Sequence, residues 1–90
     1  MLQHELIDKI TMALSKALGG RTLQNITLAT KLRDDLGLDS ITSLTFLMAL
    51  EEEIKGFIVD PETLNMDDLY CVQTIAAYVE RQLIREEANA

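Results

Sequence analysis

A single cysteine, Cys71, cannot close a disulfide within the chain, and one histidine, His4, leaves no Cys/His cluster with metal-ligand spacing. A disulfide-stapled scaffold and a zinc module are therefore set aside, and a reducing, cytoplasmic setting is the simplest expectation. Tryptophan is absent, and only two Phe and two Tyr occur among 90 residues, so the core must be mainly aliphatic. Basic residues are also few. Eight Lys and Arg stand against fifteen Asp and Glu, for a net charge of -7, and they are scattered along the chain. Nucleic-acid binding draws its affinity from clustered cations, so no nucleic-acid partner is expected, and basic protein surfaces are favoured instead. The same charge also serves to keep a small monomer soluble. No apolar run reaches the length of a membrane span, and MLQHELIDKI places acidic and polar residues where a signal peptide needs a basic start and an apolar stretch. No membrane association is expected.

What is present is a sequence with 48% hydrophobic residues, enough for one compact domain without staples. Leu2, Leu6, Ile10, Ala13, Leu14, Ala17 and Leu18 recur at helical spacing, and Gly19-Gly20 follows as a terminator; a first helix is expected over about residues 2 to 18. Residues 19 to 39 lack sustained periodicity, although Ile26, Leu28, Leu32 and Leu36 tie the segment to a core and a short helical turn is expected over Leu32 to Leu36. A connection this long in a small domain is uncommon unless it serves function. Asp39 and Ser40, both capping residue types, precede a second helix over about 40 to 55, before Gly56. Asp60-Pro61 puts proline at the first position of a short third helix, about 61 to 68. Val72, Ile75, Ala76, Val79, Leu83 and Ile84 mark a fourth over about 71 to 86. The sequence shows no strand pattern, so an all-α bundle of three main helices, one short helix and a long first loop is expected in a single domain, 1 to 90. Met1 and the short polar tail point to a freestanding protein.

The second helix has a composition that ordinary surface helices lack: from Ile41 to Leu50 it carries no charge. At about 100° per residue, Phe46, Leu47, Leu50 and Ile54 share one side, and Ile41, Leu44 and Met48 share another well over 90° away. Either the helix is central and buried nearly all round, or the second stripe is a contact surface. Glu51 and Glu52, with Glu53, Asp34, Asp35 and Asp39, supply a polar rim. Taken without their surroundings, Asp39 and Ser40 read as simple helix caps.

The stretch LRDDLGLDSITSL closely resembles the attachment motif of acyl carrier proteins, D-L-G-x-D-S-[LI], in which the serine is modified by 4'-phosphopantetheine. LMALEEEI and LYCVQTIAAYV resemble the family's second and last helices, and the likeness covers the chain from about Leu28 to Leu83. The resemblance implies that Ser40 receives a covalent 4'-phosphopantetheine arm from coenzyme A. It implies that Asp39 contributes to recognition by a phosphopantetheinyl transferase and its Mg²⁺. Ile41, Leu44, Met48, Glu51 and Glu52 would then meet partner enzymes, among them an acyltransferase or ketosynthase, and Phe46, Leu47, Leu50, Leu69 and Val72 could line a shelter for an acyl chain. The chain itself would be a carrier and not an enzyme.

One departure concerns Thr42, Ser43 and Thr45, which stand where carriers of fatty-acid synthesis usually place acids soon after the serine. This favours a specialised carrier of a polyketide or mixed polyketide and peptide pathway over housekeeping fatty-acid synthesis. An aminoacyl or peptidyl cargo stays open, although the G-G-x-S context common in such carriers is absent. From a different class, a helical adaptor binding through Ile41, Leu44 and Met48 without a covalent arm also stays open. Cys71 has no histidine nearby in sequence and no orienting acid, and reads as a packing residue and not as a nucleophile.

Overall fold

The computed structural model describes residues 3–88, with side chains through Ile84. Three α-helices, α1 (Gln3–Ala17), α2 (Ser40–Glu53) and α3 (Val72–Ala88), pack with a short 3₁₀ helix, Met66–Leu69. Among the described residues there is no strand, and the fold is the all-α bundle expected, 35 × 25 × 21 Å. Leu2, which the periodicity puts in the first helix, lies outside the described residues.

Helix α1 buries Leu6, Ile10, Ala13 and Leu14, the i, i+4, i+7, i+8 face that its sequence pattern marks. It stops where Gly19 and Gly20 turn left-handed, at φ 77° and 85°, and the Gly20 N–H closes on the Ser15 carbonyl at 2.8 Å. Helix α1 lies mainly along α2. Lys16 pairs with Glu52 and Glu53, and the Lys9 ammonium donates to the Glu53 carbonyl at 3.1 Å. The Lys16–Glu52 pair is exposed on both sides and adds little stability, whereas the Glu53 side chain is largely covered. Helix α2 ends at Glu53, two residues before the expected end, because Ile54 leaves helical geometry with φ -114° and ψ 104° and is fully buried.

The long connection is anchored at several points. Lys31 and Cys71 form an isolated antiparallel bridge, the Leu32 N–H donates to the Tyr70 carbonyl, and the Val72 and Gln73 N–H groups donate to Thr30 and Leu28. From Lys31 onward the chain makes a helical turn, with the Asp35 N–H bonded to the Lys31 carbonyl and the Gly37 N–H to that of Arg33. Gly37 then takes φ 75°, a conformation costly for residues with a Cβ, and this turns the chain toward α2. Leu32 and Leu38 on either side are buried.

The third helix expected over 61 to 68 does not form as one element. Pro61 occupies a turn in which the Thr63 and Leu64 N–H groups both donate to the Asp60 carbonyl at 3.0 Å, while the Asp60 side chain accepts from the Glu62 N–H. These are the contacts of an N-cap aspartate and one helical turn, and the ladder is not continued past Leu64. Only Met66–Leu69 winds, as 3₁₀ helix, with Asn65 and Asp68 exchanging capping contacts. Helix α3 fastens this irregular region from below. The buried Tyr78 hydroxyl accepts from the Asp60 N–H at 3.0 Å, the Gln82 amide donates to the Ile58 carbonyl at 3.1 Å, and the Tyr78 ring meets Phe57 edge-on.

Candidate functional site

The site is built where the long connection enters α2. Asp39 is the N-cap: its carboxylate accepts the Thr42 N–H at 2.8 Å. Ser40 is the first helical residue and is exposed. Among the described residues no group bonds its hydroxyl. Of these two adjacent capping candidates, the cap role falls to Asp39 alone.

Thr42, first through its backbone N–H and then through its side chain, holds the Asp39 carboxyl below its ordinary value. A depressed native value means that the unfolded chain binds the proton more readily. The cap's contribution is therefore complete above the unfolded-state value and is lost as the pH falls through the native one. In an acid titration of the melting temperature, Asp39→Asn is expected to lose this share of the pH dependence below about pH 4; superimposable curves for the two proteins would refute it.

Ser40 opens onto a cleft of about 590 Å³ between α2, the 32–39 segment and the 3₁₀ helix. Its apolar walls come from Leu32, Leu38, Leu44, Leu47, Leu64 and Leu69, and the charged groups at its edges are Arg33, Asp34, Asp39 and Asp67. Of the candidate lining residues, Leu47 and Leu69 face this cleft, whereas Phe46, Leu50 and Val72 are fully buried in the common core and do not line it. Leu64, Met66 and Tyr70 also line it, although nothing in their sequence pattern sets them apart, because their position depends on how the 56–70 segment folds back.

The choice between a central helix and one with an outer apolar face falls to the second. Ile41 is 76% exposed, Leu44 63% and Met48 64%, while Phe46, Leu47, Ala49 and Leu50 on the opposite arc are buried. Glu51 and Glu52 are exposed beside the stripe. Both are already engaged within the chain: Glu51 accepts the Val59 N–H at 3.1 Å, and Glu52 lies 3.6 Å from the Lys16 ammonium. Met66 and Tyr70 add exposed apolar surface on the far side of the cleft. Cys71 is buried and its backbone joins the Lys31 bridge.

A family model described as the phosphopantetheine attachment site matches residues 8–81. The chain belongs to the acyl carrier protein family. It is 38% identical over 60 residues to an acyl carrier protein of Phytoplasma australiense, covering 67% of this chain and 75% of that protein. It is also 29% identical over 83 residues to an acyl carrier protein of Exiguobacterium sibiricum, covering 92% of this chain and all of that one. The cofactor of this carrier is phosphopantetheine, and the chain is a carrier and not an enzyme. An exposed serine whose hydroxyl has no partner among the described residues, at the mouth of an apolar cleft, suits a covalent arm of that kind. Among the described residues no helix is long and apolar enough to cross a membrane.

Proposed function

We propose that this carrier takes its 4'-phosphopantetheine arm on Ser40, holds acyl groups on it and presents them to enzymes of a polyketide or mixed polyketide and peptide pathway in the cytoplasm. The single observation that supports this most is the unpartnered Ser40 hydroxyl at the start of α2, beside an exposed stripe and an apolar cleft. In loading by a phosphopantetheinyl transferase, the Ser40 oxygen attacks the phosphorus of coenzyme A nearest the pantetheine. The new P–O bond replaces the P–O bond to the nucleotide, the nucleotide bisphosphate leaves, and the serine proton passes to a base of the transferase. Asp39 assists by fixing the helix start and adding a carboxylate beside the transferase's Mg²⁺. Once attached, the arm supplies a terminal thiol for thioester carriage.

Ile41, Leu44 and Met48 give the docking face for the transferase and then for an acyltransferase, ketosynthase or related enzyme, with Glu51 and Glu52 as its rim. Thr42, Ser43 and Thr45 leave the first turns without acids, so apolar contact carries more of the docking than charge does. Leu47 and Leu69 are the proposed cargo lining, and an apolar cleft of this size suits an acyl chain better than a charged aminoacyl group. The match to the phosphopantetheine attachment family favours this reading over a non-covalent adaptor. The carrier acts as a monomer, each copy exposing one stripe to one enzyme at a time.

Glutamate at Leu44 and Met48 together tests the docking face. Because both residues are exposed, the fold should be retained. Acyl transfer from a partner acyltransferase onto the loaded protein is expected to slow by about tenfold or more, the loss typical of a central interface contact. Unchanged initial rates would remove the stripe from the account.

A further inference from the structure

The charges at the mouth of the cleft are unbalanced. Asp34, Asp39 and Asp67 face a single cation, Arg33. Several other cations are engaged, Lys9 by the Glu53 carbonyl, Lys16 by Glu52 and Glu53, Lys31 by the Tyr70 ring and Arg81 by Asp68, while Arg21 and Lys55 do not line the cleft. Among the described residues Arg33 has no such partner. Its backbone is nonetheless well fixed, since its carbonyl accepts the Gly37 N–H at 2.9 Å and the adjacent Leu32 is buried. A rigid base therefore carries an exposed, uncommitted guanidinium at the edge of the cleft that Ser40 opens.

An arm joined to Ser40 would introduce a phosphodiester, an anion at any physiological pH, one residue from the Asp39 carboxylate. Two further carboxylates around the same cleft would repel it as well, and among the described residues that line the cleft Arg33 is the one cation, with Lys31 held over the Tyr70 ring beside it. Guanidinium is the side chain best shaped to meet two phosphate oxygens at once. We propose that Arg33 is the counter-charge of the arm's phosphodiester, holding it at the cleft mouth so that the arm leaves Ser40 along the apolar walls. This rests on the reading of Ser40 as the attachment residue.

The test uses the full chain, loaded with coenzyme A, Mg²⁺ and a broad-specificity transferase, with intact mass confirming the arm. The Arg33 Nε–Hε resonance, identified by its absence in Arg33→Gln, is expected to move on loading. The ³¹P resonance of the arm should shift as salt is raised to about 1 M, where the screening length falls to about 3 Å. That salt response should disappear in loaded Arg33→Gln and persist in part in loaded Arg33→Lys. An Arg33 resonance unmoved in protein whose mass proves the arm present would overturn the pairing alone. No mass gain on the wild type would overturn the attachment reading, and the pairing with it.

Discussion

Ser40→Ala is expected to abolish arm attachment completely while leaving the melting temperature almost unchanged. The two halves of this result have separate causes. The Ser40 hydroxyl has no partner among the described residues, so its removal breaks no internal hydrogen bond. The N-cap survives, because it is the Asp39 carboxylate that receives the Thr42 N–H. Alanine is also a better helix former, and exposed substitutions of this kind usually change stability by no more than about 0.5 kcal/mol. Ser43 lines the same cleft but is half-buried in the first turn of α2, and it is not expected to substitute for Ser40. Intact mass after transferase treatment and a thermal melt of the same sample check both halves. A large fall in melting temperature would mean that Ser40 has a structural role.

Phe46→Ala is expected to produce the opposite pattern, a large loss of stability from a residue on the inner arc of the same helix. Phe46 is fully buried with Leu6, Ile10, Leu50 and Val79 in one core, and removing a ring from such a place costs about 3–5 kcal/mol. A domain of this length has a total stability of about 5–13 kcal/mol, so the substitution uses up much of it. The melting temperature should fall by on the order of 20 °C. Met48→Ala, two residues on and 64% exposed, should shift it by only a degree or two. Circular-dichroism melts of the pair check the assignment of the two faces, and similar losses would mean that Met48 is packed and not presented.

The contrast between these two residues shows how far the sequence alone leads. The 100° spacing separates Phe46 and Leu50 from Ile41, Leu44 and Met48, but it does not say which arc meets water, since that depends on where α1 and α3 pack. Helix α1 is legible because its apolar residues occupy a single arc and Gly19-Gly20 follows it. The 61 to 68 segment is misread because Asp60 and Pro61 mark where a helix starts and not how far it runs: Asp60 caps a single turn through the Glu62 N–H and takes the Leu64 N–H on its carbonyl, and the turn stops there. The cleft was the least legible feature. Arg33, Leu64, Met66 and Tyr70 come from two separated segments, and they meet only because the Thr30–Leu32 backbone pairs with Tyr70–Val72 and because Tyr78 and Gln82 hold the second segment down. By contrast, Ser40 and Asp39 were adjacent in a recognisable motif, and the fold adds which of the two caps the helix.

The central claim is that the arm is carried by Ser40, and the most direct measurement is fragment mass spectrometry of the full chain after incubation with coenzyme A, Mg²⁺ and a transferase. The expected result is one phosphopantetheine per chain, on the fragment ion that contains Ser40 and on no other residue. A protein that gains no such mass, or one that carries it on Ser43, Cys71 or elsewhere, would contradict the account.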